Sequence, residues 1–213
     1  MKIALINENS QAAKNELIYN VLKEEVAKYG HTVDNYGMFG AEDTHQLTYV
    51  QIGLLASILL TTKAVDFIVT GCGTGQGAML AGNSFPNVLC GHITSPLDAF
   101  LFSQVNDGNC IALPFAQGFG WGAEVQLHYI FEKLFAQEFG GGYPKDRVIP
   151  EQRNKKILDS VKEVTHRPLL EILKGIDREF LVSTIDYPEF KELFFANSKD
   201  DEINIFIKEV LGM

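Results

Sequence analysis

From the first residue to about Gln137, apolar runs of strand length alternate with segments of helical periodicity. That order is the signature of βαβ units, because parallel strands need a crossover between them and a helix is the usual crossover. Strands are expected near Lys2–Asn7, Thr32–Tyr36, Asp66–Thr70, Asn87–Gly91 and Asn109–Leu113. Between the first two, Leu17, Ile18, Val21, Leu22 and Val26 share a helical face, with Ser10 as the expected N-cap and Gly30 past the C-terminus. Further helices are expected over Leu47–Leu60, from Gln76, from the Ser95-Pro96 pair, and over Ala123–Ala136.

The pattern changes after Gly140-Gly141-Gly142. Residues 147–213 show no strand ladder, two interruptions at Pro168 and Pro188, and short helical patches such as Ile203–Leu211. Their aromatic and aliphatic content is too high for disorder. Phe194-Phe195 and the Ile203, Ile205, Ile207 series are read as packing onto the chain's own body, in preference to a partner surface or a strand. The expected architecture is α/β: a Rossmann-like, doubly wound, parallel five-stranded sheet over residues 1–146, followed by a helical C-terminal extension over 147–213.

Charge and composition narrow the function. A formal net charge of −9 without a basic block leaves no electrostatic footprint for nucleic acid or an anionic membrane. No apolar run reaches the length of a membrane span, and Asn7 and Glu8 interrupt the N-terminal one, so a cytoplasmic protein is expected. Cys72, Cys90 and Cys110 are widely spaced and odd in number, which suits reduced thiols and neither a disulfide framework nor a zinc cluster.

In a doubly wound sheet the loops at the strands' carboxyl ends gather at one crevice, here Asn7–Ser10, Gly37–Gln46, Gly71–Gln76 and Gly91–Ser95. The most informative of them lies in Phe67–Ala81, FIVTGCGTGQGAMLA, read as strand, glycine turn and helix. Glycines allow close approach to a ligand, and the helix N-terminus behind them favours an anion or oxyanion. Gly73-Thr-Gly75-Gln-Gly-Ala78 also meets a loose dinucleotide pattern, but the first turn has no glycine and the next strand ends Leu89-Cys90-Gly91-His92 without an acidic residue. Cys72 sits where helix N-terminal amides would favour a proton-accepting thiolate; the alternative is a small apolar filler beneath the turn. Cys90 and Cys110, in expected strands, read as small hydrophobes.

The order Gly71-Cys-Gly-Thr-Gly75, a helix ending near Asn83, Ser95-Pro96 opening a helix that ends in Asn106-Asp107, and Asn109 starting a strand is similar to the ribose-5-phosphate isomerase B and galactose-6-phosphate isomerase family over roughly residues 1–150. The resemblance implies aldose–ketose isomerisation through an enediol, without metal or organic cofactor, in a homodimer or homotetramer that shares its active sites. It implies Cys72 as the base between two carbons, Thr74 handling substrate oxygens, and the backbone of Gly73, Gly75, Gln76 and Gly77 stabilising the enediolate. Asn106 would bind a hydroxyl across the dimer interface, with Arg147 reaching in from the same side. Glu8 and Asn9 stand where the family commonly has Asp-His, and His45 and Tyr49 where it places substrate contacts, although only Tyr49 matches in type.

Departures from the family bear on the substrate. Val105 replaces the histidine assigned to ring opening, and an aliphatic residue cannot shuttle that proton. The arginine expected after the fifth strand falls near Ala116 or Gln117, and of two later arginines one aligns with Tyr143, leaving Arg147. Without these guanidinium forks a dianionic phosphate loses much of its recognition, whereas a carboxylate, with one negative charge, could be satisfied by Arg147 and neutral donors. With its extended C-terminus the chain resembles the subgroup that isomerises 4-deoxy-L-threo-5-hexosulose uronate, an open-chain product of unsaturated uronic acids from glycosaminoglycan breakdown. The alternatives are a pentose or hexose phosphate isomerase and a non-catalytic sugar-acid binding protein. His92 reads as a surface loop residue that could rim the crevice, and Trp121 as an interface residue in preference to a pocket wall.

Overall fold

A computed structural model describes residues 1–213. Five parallel strands, β1 (Lys2–Asn7), β2 (Thr32–Asn35), β3 (Phe67–Cys72), β4 (Cys90–His92) and β5 (Cys110–Pro114), form one sheet in the order β2-β1-β3-β5-β4. From β1 the chain crosses to β2 on one side, and from β3 it crosses to the edge strand β4 on the other before β5 fills the place between, so the switch point lies between β1 and β3, where Asn7 pairs in register with Gly71.

Side-chain alternation along the strands sorts the core into two halves. Ile3, Leu5, Phe67, Val69, Ile111 and Leu113 face one cluster, packed under α1 (Asn15–Ala27), α4 (Pro96–Leu101) and α5 (Ala123–Phe135). Ala4, Ile6, Ile68, Cys110 and Ala112 face the other, under α2 (Tyr49–Thr61) and α3 (Gln76–Asn83). Cys90 and Cys110 both lie in this second core, and burial, with Cys90 as neighbour, pushes the Cys110 thiol well up. Their reading as small hydrophobes agrees with that.

Helix α2 explains the extension. Residues Gln51 to Leu60 are all buried, an apolar surface that runs around the helix and cannot be covered by a sheet on one side alone. The second cover comes from α7 (Leu169–Gly175), α8 (Arg178–Ile185), α9 (Pro188–Asn197) and α10 (Asp201–Leu211), whose Leu169, Leu173, Leu181, Ile185, Phe190, Phe194, Ile203, Ile207 and Val210 join the same core. Ile203, Ile207 and Val210 are buried at helical spacing while Ile205 stays exposed, so that series is one helical face packed on the body. Polar ties accompany the packing: Gln51 Nε2 donates to the Ser183 carbonyl at 3.2 Å and Tyr187 Oη to the Tyr36 carbonyl at 2.9 Å.

Several local expectations shift. The helix expected from Ser10 is preceded by a 3-10 segment, Asn9–Lys14, capped by Glu8, and α1 begins at Asn15. The reason is competition for the backbone: the buried Glu8 carboxylate takes both the amide of Ser10 (2.9 Å) and its hydroxyl (2.6 Å). Leu17 lies 38% exposed at the edge of the α1 face. The fourth strand starts at Cys90, because Asn109 Oδ1 accepts from the Leu89 amide at 2.8 Å and Asn87 turns through φ 60°. Thr48 with Gln51 forms a capping box that opens α2, and Ser95 caps α4 by accepting from the Asp98 amide at 3.1 Å.

Helix α6 (Val148–Thr165) differs from the rest. None of its residues is buried, and Ile149 (79%) and Val164 (87%), with Ile157 and Val161, form an exposed apolar stripe. No helix is long and apolar enough to cross a membrane.

Candidate active site

Strand β3 carries Cys72 to the carboxyl edge of the sheet, two residues beyond its expected end, and the chain turns at once into α3. Gly75 closes the turn at φ 75°, and a side chain there would meet His92 at 2.8 Å, so the position requires glycine on both counts. His92 Nε2 donates to the Thr74 carbonyl at 2.8 Å, bracing the turn from the end of β4. The amide of Gln76 uses the Thr74 hydroxyl at 3.3 Å, while those of Gly75, Gly77 and Ala78 donate to no protein acceptor. They leave a concentration of N–H donors at a helix N-terminus, suited to oxygen that carries negative charge.

Cys72 is half-buried and packs against the α2–α3 core. Its Sγ and the ring of Tyr49 lie 3.7 and 3.3 Å from the place a Cβ would take on Gly77, so thiol, aromatic ring and turn meet at one point. On the other side, Gly73 faces Ala116 and Gln11, at 3.7 and 3.9 Å from the corresponding position. A hydrogen-bonded series runs along that side: Ser10 Oγ to Glu8, Gln11 Nε2 to Ser10 Oγ at 3.1 Å, and Lys14 Nζ to Gln11 Oε1 at 2.7 Å. Lys14 Nζ also donates to the Phe115 carbonyl and lies 4.6 Å from the Phe119 ring centroid.

The expected residues therefore divide. Cys72, Gly73, Thr74, Gly75, Gln76, Gly77 and Tyr49 gather at the turn. Glu8 stands beside it but spends its carboxylate on Ser10, and Asn9 is tied through its amide to the Leu47 carbonyl at 2.7 Å. His45 turns toward the extension, stacking on Tyr187 at 4.2 Å, and burial holds its imidazole below the usual range.

Asn106 and Arg147 lie at the far end. The Phe102–Asn106 turn precedes β5, whose first residue pairs with Ile68, and four residues of β3, a rise of about 13 Å, separate Ile68 from Cys72. Arg147 is exposed on the following 3-10 turn, Lys145–Arg147, in a loop tied to Gln104 by the Gly142 amide at 2.9 Å. Trp121 is fully exposed. His92, Gln11 and Lys14 were not singled out as site residues from sequence. Their proximity to the turn arises from β4 pairing beside β5 and from the 3-10 segment, and the one available signal was His92's place at a strand's carboxyl end.

A doubly wound sheet with a cysteine and unpaired amides at its carboxyl edge defines an α/β enzyme of the kind that works on a small oxygen-rich molecule. The chain belongs to the Ribose/Galactose Isomerase family, whose model matches residues 3–149, and it is an aldose–ketose isomerase. A second model, described as ribose-5-phosphate isomerase, matches residues 164–210. Among solved structures, a 4-deoxy-L-threo-5-hexosulose-uronate ketol-isomerase complexed with a tartrate is 58% identical, with all of both chains covered and a TM-score of 0.98. The ribose-5-phosphate isomerase of Vibrio parahaemolyticus is 48% identical over 99% of each chain, TM-score 0.96. The type B ribose 5-phosphate isomerase of Trypanosoma cruzi, 18% identical, shares the fold over 78% of this chain and 100% of its own, TM-score 0.64. No curated protein matches the chain.

Proposed function

We propose that the protein isomerises 4-deoxy-L-threo-5-hexosulose uronate, with Cys72 as the base. The observation that carries this reading is Cys72 at the end of β3 beside the unpaired amides of Gly75, Gly77 and Ala78. In this mechanism Cys72 takes the proton from the carbon next to the carbonyl. The amides answer the charge that develops on the enediolate oxygen, and the proton returns to the neighbouring carbon. Thr74 and Tyr49 line the approach. The absence of a histidine at Val105 suits a substrate that needs no ring opening, and the whole-length likeness to a uronate isomerase supports the same substrate.

A second copy completes the site in this reading. Asn106 and Arg147 share the end of the sheet remote from their own Cys72, and the apolar stripe of α6 beside them is an unpartnered face of the kind dimers bury. The second reading, ribose 5-phosphate as substrate, draws on the likeness to the Vibrio parahaemolyticus enzyme.

Proton NMR in D2O separates them, with the uronate and ribose 5-phosphate offered in parallel and deuterium followed at the carbon that exchanges. Turnover of the uronate with little of the phosphate is the expected result; turnover of the phosphate alone rejects the proposal, and turnover of neither rejects it in favour of another sugar.

A further inference from the structure

Five loops follow the five strands at the carboxyl edge of the sheet, residues 8–14, 36–48, 73–75, 93–95 and 115–122, and between them they hold a single lysine or arginine, Lys14. The rest of that edge is neutral or acidic, including Glu8, Glu42 and Asp43, in a chain of net charge −9. A lone cation so placed would ordinarily be drawn to one of those carboxylates, yet Lys14 takes part in no ion pair. Its ammonium is held by neutral acceptors instead, the Gln11 amide oxygen at 2.7 Å and the Phe115 carbonyl, over the Phe119 ring. Those two hydrogen bonds leave one of its three protons unassigned.

The groups that hold it also touch the glycine turn. Gln11 faces Gly73, Ala116 donates its amide to the Gly73 carbonyl at 2.9 Å, and Phe115 donates its own to the Cys72 carbonyl at 2.9 Å. Lys14 is thus fixed in orientation one side chain away from the reacting position, with its positive charge uncancelled. Ordered before the ligand arrives, such a group costs little further entropy on binding.

We propose that Lys14 is the carboxylate-binding residue of the site: its free N–H receives the carboxylate of an open-chain sugar acid whose carbonyl end lies at Cys72. The assignment rests on the uronate reading above and adds its physical basis, the one cation that the loops around Cys72 supply from the same chain, matched to a monoanion. Gln11 is a positioning residue, acting through Lys14.

The test uses Lys14→Met and Lys14→Arg in the full chain, with two readouts. In steady state on the uronate, K14M should raise KM by about tenfold or more with kcat changed far less, and K14R should recover part of the loss, as for a charge-assisted hydrogen bond to substrate. Independently of turnover, tartrate, a dicarboxylate, should slow alkylation of Cys72 by iodoacetamide in the wild type and in K14R but not in K14M. If K14M keeps the wild-type KM and the wild-type protection, or loses kcat and thermal stability with KM unchanged, Lys14 is structural and the proposal fails. If the wild type turns over no uronate while tartrate protection still depends on Lys14, the substrate assignment falls and the carboxylate site stands.

Discussion

The imidazole of His92, at the end of β4, donates from Nε2 to the carbonyl of Thr74 at 2.8 Å, and so ties the glycine turn to a strand two positions away in the sheet. The bond requires the Nε2-protonated tautomer and fixes the peptide planes whose amides face the crevice. His92→Ala should leave the fold intact and lower kcat by about tenfold, because amides that must be aligned before reaction lose their orientation. Steady-state rates beside an unchanged circular-dichroism spectrum would check this.

Gly75 stands at φ 75° with His92 against the place of its missing Cβ. Gly75→Ala combines left-handed strain with a collision, and should cost about 1–3 kcal/mol of stability along with most of the activity. Denaturant titration gives the first quantity; an undiminished rate would show that the turn tolerates displacement.

Replacing Cys72 by alanine removes the candidate base from a half-buried site without disturbing a hydrogen bond. Isomerisation should fall by about 10²–10⁴-fold while binding of the substrate, measured by calorimetry, stays near the wild-type value.

If Asn106 acts on the neighbouring molecule's site, the variants C72A and N106A, each impaired alone, should regain activity when mixed and allowed to exchange subunits, since one hybrid site is then intact. A glutamate at Val164, in the exposed stripe of α6, should yield monomers by light scattering and little activity.

Stability carries its own signature. Glu25 is buried at its side chain and its carboxyl lies below its ordinary 4.5: burial raises it, but hydrogen bonds from Lys28 and His128 outweigh that. A carboxyl lowered in the folded state stabilises fully above its unfolded value and progressively less as pH falls through the folded one. Glu25→Gln should therefore melt below the wild type at pH 7, with the two converging in acid beneath pH 4.5. In the extension, Phe190 is fully buried and stacks on Phe194 at 4.9 Å. Phe190→Ala should cost about 3–5 kcal/mol in one cooperative transition, as the extension and α2 share a core.

The order of elements, the parallel sheet and the glycine turn were legible in the sequence because each rests on local signals: the period of apolar residues, a cap such as Ser95, and glycines grouped where a strand meets a helix. Even the all-round apolar character of α2 was there to be read, and it demanded a second cover that the extension supplies. What lay beyond the sequence was decided by pairing and packing between distant segments. Strand order brought His92 onto Thr74, the capture of Ser10 by Glu8 replaced a regular first turn with the 3-10 segment that aims Gln11 and Lys14, and the docking of α8 and α9 drew His45 away toward Tyr187. These are contacts between residues far apart in the chain or choices between competing hydrogen bonds, and local propensity carries no information about either until the core has closed.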